Sequence, residues 1–249
     1  MVPMIAAPAE SLTGRLVSRA ELSARQVGEM HELLDAHFEG VSFDVFKKDL
    51  GEKNWVILLE DGSGCIRGFS TLLHYRSSFD GRPVSVIYSG DTIVDPECWG
   101  SAALPRTWIQ SVNRLRARHP GDPLFWLLIS SGYRTYRFLP LFWKAFFPRY
   151  DSPTPVDVRR LLDQVASERF GDAYHPAEGV VRFDRPQVLR EELLAIPPGK
   201  LEDPHIAFFA DRNPGYIHGD ELVCLTELAA ENLTAAGRRM WGRTADGPG

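Results

Sequence analysis

The pattern of apolar and polar positions is most regular between Val84 and Val94. There Val84, Val86, Tyr88, Thr92 and Val94 alternate with Ser85, Ser89 and Asp91. A period of two puts one set on each face of a sheet, so the segment predicts a strand. Asp95-Pro96 ends it, because proline cannot donate to a ladder. Small residues follow at Gly100-Ser101-Ala102-Ala103, and Leu104–Arg118 reads as a helix. A strand, a small-residue turn and a helix together present backbone N–H groups and a positive helix end to an anion.

The same reading extends to both sides. A helix over Ser18–Phe38, with Ser18 as cap and Glu21 completing a capping box, carries the stripe Leu22, Val27, Met30, Leu33, Leu34 and Phe38. Its His31 and His37 have no third residue spaced to complete a metal site. Ser42–Leu50 reads as a short helix. Trp55–Leu59 and Cys65–Tyr75 read as strands joined by Asp61-Gly62-Ser63-Gly64, and Asp80-Gly81 turns into the central strand. Leu124–Ile129 is continuously apolar, as expected of a strand buried on both faces and parallel to its neighbour. Tyr133–Phe147 is an aromatic-rich helical pattern that Pro140 kinks or shortens. Beyond a break at Ser152–Pro155, helices are expected at Pro155–Phe170, Pro186–Leu194, Asp203–Asp211 and Glu227–Met240. Strands are expected at Gly179–Phe183 and Glu221–Thr226, both joining the main sheet. Residues 1–17 read as an arm that can add a strand, and the tail after Arg243 as disordered.

Composition narrows the function classes. The 249 residues allow one large domain or two small ones, and 44% hydrophobic residues is ordinary for a globular protein. A net charge of -5 argues against a nucleic-acid partner. Cys65, Cys98 and Cys224 are too scattered for a disulfide framework, which makes a reducing cytoplasm the expected location. No apolar run reaches the roughly 18–20 residues of a membrane span. Ser89, Ser130 and Ser131 lack a Gly-x-Ser-x-Gly context, so a hydrolase is not expected.

The strand end Val94-Asp95-Pro96-Glu97 and the small-residue turn after it resemble the core of the GNAT acyl-CoA N-acyltransferases. So does the order of two helices, three antiparallel strands and a helix. The resemblance implies an α/β (α+β) fold, a GNAT-like mixed, mostly antiparallel central sheet flanked by helices, with extra C-terminal helices. It implies one domain, its core over about residues 18–150 and an extension over 151–243 completing the sheet. It also implies acyl transfer from an acyl-CoA or acyl-carrier-protein thioester to a small-molecule or other amine acceptor, with no metal. A GNAT-like scaffold that has lost catalysis and binds a ligand or regulates a partner is the alternative. The family holds the CoA pyrophosphate with an (Arg/Gln)-x-x-Gly-x-(Gly/Ala) turn. Registered on Val94 and Pro96, its basic position falls on Trp99; registered on Gly100, it falls on Glu97. Some branches, resembling N-acyl amino acid and acyl-homoserine lactone synthases, lack that turn and take acyl chains from carrier proteins.

Candidate site residues follow from the same resemblance. Thr92, Ile93 and Val94 on one side, and Ser130 and Ser131 on the other, flank the place where the two strands splay around the thioester. Gly100, Ser101, Ala102 and Ala103 form the phosphate turn, with Arg106 one helical turn further in. Gly90 marks either a bulge or a close backbone approach. Asp91 is a carboxylate on an otherwise apolar strand, costly to bury unpaired; it fits a base, an amine-binding group or one half of a bridge to an arginine. Tyr133 and Tyr136 fit either the acid that protonates a leaving thiolate or core aromatics. His74 fits a cleft residue or a surface one, and Cys98 an acyl acceptor or a small buried side chain.

Overall fold

The computed structural model describes residues 12–117 and 121–241. In chain order these form β1 (Thr13–Ser18), α1 (Ala24–His37), β2 (Phe38–Glu39), α2 (Phe43–Glu52), β3 (Trp55–Glu60), β4 (Ile66–Phe79), β5 (Arg82–Val94), α3 (Ala103–Ala117) and β6 (Leu124–Ser130). Next come α4 (Tyr133–Tyr136), α5 (Phe138–Phe142), α6 (Val156–Phe170), β7 (Tyr174–His175), β8 (Val180–Val181), β9 (Val188–Leu189) and α7 (Glu191–Leu194). The last three are α8 (Pro204–Arg212), β10 (Glu221–Glu227) and α9 (Ala235–Trp241).

Eight strands make one sheet in the order β1-β3-β4-β5-β6-β10-β8-β7, antiparallel except for the parallel pair β5–β6. This is the mixed, mostly antiparallel sheet flanked by helices that the sequence predicts, with β5 inside it and β10 and β8 joining late. Alternation sorts the side chains into two layers. Ile57, Leu72, Ile87, Leu128 and Cys224 pack on Trp108, Ile109 and Val112 of α3 and on α8. On the opposite face Val86, Tyr88, Leu127 and Val223 meet Leu161, Leu162 and Val165 of α6, and Val56, Leu58 and Phe69 meet Met30 and Leu34 of α1. The β4–β5 hairpin turns on Asp80 and Gly81, both at positive φ (49° and 75°), as a two-residue turn demands.

Four expected helices differ. The arm adds β1, which runs through Ser18 against Trp55, so α1 starts later, on Ser23. Ser23 Oγ accepts from the Gln26 amide and Gln26 returns the bond to the Ser23 amide. The pattern over 133–147 breaks into α4 and α5. The chain leaves helix at Trp143, and Phe147 exchanges two backbone hydrogen bonds with Leu225 at the outer edge of β10. Of the helix expected over 186–194 only Glu191–Leu194 forms; before it β9 pairs with β2 and the Arg190 amide bonds the His37 carbonyl. The closing helix starts eight residues late: β10 continues to Glu227, and Asn232 ties the following loop to Ala145, Thr226 and Glu227. The tail after Arg243 lies outside the described residues. Among the described residues no helix is long and apolar enough to cross a membrane.

Candidate active site

The site begins with a fault in the central strand. β5 pairs with β4 in regular register up to Ser89, opposite Leu72, and resumes at Thr92, opposite Ser70. Gly90 and Asp91 therefore face a single residue, Thr71, which is a β-bulge. The bulge changes which side chains look the same way. Unbroken alternation would set Thr92 and Val94 beside Tyr88. Instead Ile93 buries with Phe69, Val94 leans on the α3 layer, and Asp91 joins Tyr88 and Ile93 in lining a cavity on the α1–α2 side.

On its other flank β5 pairs with β6 only from Ser85 to Ser89, against Leu124 to Leu128. Past that point β6 stays with β10, where Ser130 is opposite Leu222. The two strands part, and a cavity of about 580 Å³ opens between them. That is the size of a small-molecule site. Apolar walls come from Phe38 of β2, Val45 and Phe46 of α2, Ile129 and Phe183. Val45 and Phe183 stay exposed at 48% and 38%, so the rim is apolar. Deeper in, the cavity carries three carboxyl groups, Asp49, Asp91 and Glu221. The segment 184–194 forms a strap beside it, with Asp184, Arg185 and Gln187 lining the cavity. Leu189 abuts Gly132, Arg190 donates to the Asp35 carbonyl, and the Leu193 carbonyl accepts from Arg134 at 2.8 Å.

Electrostatics set these carboxyls apart from surface ones. Burial raises Asp91 to about 7; the negative charge of Asp49 adds to this and Lys53 partly offsets it. Burial likewise raises Glu221 to about 8, with Asp91 and Asp49 adding. Near neutral pH the cavity thus holds one carboxyl poised to take a proton and another that retains one. No ion pair involves Asp91 among the described residues, so the arginine bridge is not what its charge is for. Among the described residues no group of three or more His, Cys, Asp or Glu is arranged to hold a metal ion.

The other sequence candidates separate. Thr92, Ile93 and Ser131 line the cavity, and Thr92 Oγ1 is hydrogen-bonded to Ser70 Oγ at 2.8 Å. Ser130 is fully buried just behind it, its hydroxyl without a partner. Tyr133 and Tyr136 are core side chains: both are buried in the α3 layer, and Tyr136 gives its hydroxyl to the Pro148 carbonyl at 3.0 Å. Burial drives the Tyr136 hydroxyl far above its usual range, and neither tyrosine lines the cavity. His74 and Cys98 also lie away from it.

The small-residue turn is largely closed on itself. The amides of Glu97, Cys98, Trp99, Ser101, Ala103 and Arg106 are bonded within the segment, and Pro105 has none. Among the described residues the amides of Gly100, Ala102 and Leu104 have no hydrogen-bond partner, and Arg106 is exposed beside them. Trp99 folds back so that its indole N–H donates to the Val94 carbonyl at 2.8 Å, and the Arg134 guanidinium stacks on its ring at 4.2 Å. This stack joins the segment after β5 to the segment after β6, and Arg134 also holds the strap through the Leu193 carbonyl.

Sequence reasoning missed Glu221, Asp49, Lys53 and the strap. Glu221 carried a signal, a carboxyl opening the apolar run of β10. The others come together through tertiary contacts between segments far apart in the chain: Lys53 behind Gly90, and the strap against Gly132, Arg134 and Asp35.

No family model and no curated protein matches the chain. Among solved structures it is similar to a GNAT family N-acetyltransferase, YhbS, from Escherichia coli in complex with CoA. That match has 16% identity and a TM-score of 0.38, and covers 53% of this chain and 69% of the other. An acetyltransferase from Trypanosoma brucei matches at 18% identity and a TM-score of 0.39, over 59% of this chain and 99% of the other. A conserved protein from Enterococcus faecalis, described as a probable N-acyltransferase, matches at 13% identity and a TM-score of 0.42, over 89% of this chain and 67% of the other.

Proposed function

We propose that the protein transfers an acyl group from a thioester to an amine, with Asp91 as the base. The observation that carries this reading is the pair of carboxyls, Asp91 and Glu221, lining the cavity at the point where β5 and β6 part. An amine arrives as an ammonium ion and must lose a proton before it can attack. Asp91, ionised in about half the molecules near neutral pH, accepts that proton. The nitrogen then bonds to the thioester carbon and the carbon–sulfur bond breaks; the nitrogen's second proton replaces on Glu221 the one given to the leaving thiolate, and Asp91 releases the first to solvent. The leaving thiolate takes a proton, for which Glu221, still protonated at pH 7, is the nearby source. The apolar rim at Val45 and Phe183 suits an acceptor with an apolar body behind its amine.

Donor choice follows from the turn. Three open amides and Arg106 offer an acyl-CoA pyrophosphate a weak hold. A carrier-protein thioester needs no such hold, and both donors belong in the test. A second reading has its own support: the Trp99–Arg134 stack and the closed turn favour a cavity that binds an amine-bearing ligand without a donor.

Purified protein incubated with acyl-CoA and acyl-carrier-protein thioesters and a panel of aliphatic and aromatic amines, followed by mass spectrometry of the amide, tests both. The expected result is an amide from at least one pair, reduced ~100-fold or more in Asp91→Asn. Amine binding by calorimetry without product from any donor would replace the catalytic reading by the second.

A further inference from the structure

Behind the bulge sits a lysine that the proposed chemistry leaves out. Lys53 follows α2, and its side chain is completely buried, at 0% exposure. A lysine is seldom enclosed like this unless it is paired. Its Nζ donates to Asp49 Oδ2 at 2.5 Å and to the Asp49 carbonyl at 3.2 Å, and lies 5.4 Å from the centre of the Tyr88 ring. Gly90 makes room for it. A methyl group there would lie 2.9 Å from Lys53 Cε, 3.4 Å from Nζ and 2.7 Å from Thr71 Oγ1. The residue that lets β5 bulge is thus the residue that lets an ammonium ion lie against the backbone beside Asp91.

We propose that Lys53 is a positioning residue of the cavity. Its fixed positive charge, seated behind Gly90 and held by Asp49, keeps Asp91 ionisable at neutral pH among the other carboxyls. The catalytic meaning of this rests on the acyl-transfer reading; the electrostatic effect does not. Other charges facing Asp91 come from several elements. α2 adds Lys48 and Asp49, β10 Glu221, and the strap Asp184 and Arg185, while Tyr88 of β5 is held neutral by burial. Arg169 of α6 reaches Asp49 Oδ1 at 3.7 Å from behind. Lys48 and Arg185 are partly or fully exposed to solvent, which screens them. Lys53 is walled off from water, and its charge reaches Asp91 through protein.

The geometry makes a two-signed prediction. Lys53→Met removes the positive charge at nearly constant length and raises the pH at which Asp91 ionises, by about one unit or more, as for loss of a close opposite charge. Asp49→Asn removes a neighbouring negative charge and lowers it. Lys53→Arg restores the wild-type midpoint where it fits. Carbon-13 NMR titration of labelled aspartate carboxyls, with the Asp91 signal assigned by its loss in Asp91→Asn, reads the midpoints directly and needs no activity. Lys53→Gln keeps a polar end against Asp49 without the charge and serves where Lys53→Met does not fold. A raised midpoint in a neutral Lys53 variant, opposite to the shift in Asp49→Asn, supports the proposal. An unmoved or lowered midpoint in a folded Lys53→Met or Lys53→Gln overturns it. The pH profile of acyl transfer, measured beside the titration, reports on the catalytic reading separately: shifted midpoints without any transfer would end that reading and leave the electrostatic role standing.

Discussion

Asp91→Asn is expected to make the protein more stable at alkaline pH while removing the proposed base. A carboxyl that ionises near 3.8 in an unfolded chain ionises at about 7 here. Each pH unit of difference corresponds to about 1.36 kcal/mol, which gives roughly 4 kcal/mol when both states are fully ionised. Part of the side chain still meets solvent, so the usable figure is nearer ~1–2 kcal/mol. The sign follows from the raised value. The contribution of Asp91 to stability is fully present below pH 3.8, falls as the unfolded chain ionises, and is lost once the pH passes about 7. Asparagine has no such term, and it also relieves Glu221 of a neighbouring charge. Urea unfolding of wild type and Asp91→Asn at pH 5 and pH 8 checks this. The variant should gain about 1 kcal/mol relative to wild type between the two, or some 2–4 °C in Tm for a chain of this size. A variant that gains nothing, or loses stability, at pH 8 would refute the view that ionised Asp91 is held in the cavity at a cost to the fold.

Two further outcomes are expected. Gly90→Ala should destabilise by ~1–3 kcal/mol in the same urea assay, since its methyl group meets Thr71 Oγ1 at 2.7 Å and Lys53 Cε at 2.9 Å; an unchanged midpoint would mean that Lys53 moves freely. Trp99→Ala should raise CoA affinity about tenfold in calorimetric titration by removing the stack that joins the ends of the parted strands; equal or weaker binding would put the stack outside the donor's path.

The sheet was legible in the sequence because its signals are local. Proline at 96, Asp80-Gly81 and the unbroken apolar run from Leu124 each fix a strand end or a burial state without help from distant residues. Asp91 was legible for the same reason, as a charge out of place on an apolar strand. The face it looks toward was not. One extra residue at Gly90–Asp91 reverses every later side chain of β5, and periodicity read straight through it assigns Thr92 and Val94 to the wrong layer. The aromatic run after Tyr133 has the spacing of a helix, but Phe147 is claimed by Leu225, a partner about eighty residues away. Tyr133 and Tyr136 went to the core because a tyrosine near a strand end looks the same whether its hydroxyl meets a substrate or a backbone carbonyl. Glu221, a carboxyl opening an apolar strand, had the same kind of signal as Asp91, whereas Lys53 becomes a site residue through tertiary contact alone.

The pairing of β6 with β10 has a consequence for how the chain is made. Leu127 lies opposite Leu225, so the outer edge of an almost wholly apolar strand waits for a partner nearly a hundred residues further along. At ribosomal rates of about 5–20 residues per second, that edge stays open for roughly 5–20 s during synthesis. An uncovered apolar edge invites pairing with other chains. Truncation anywhere before Glu221 should therefore yield aggregates in place of a smaller folded core. A nascent chain should also engage a holding chaperone between the emergence of β6 and that of β10.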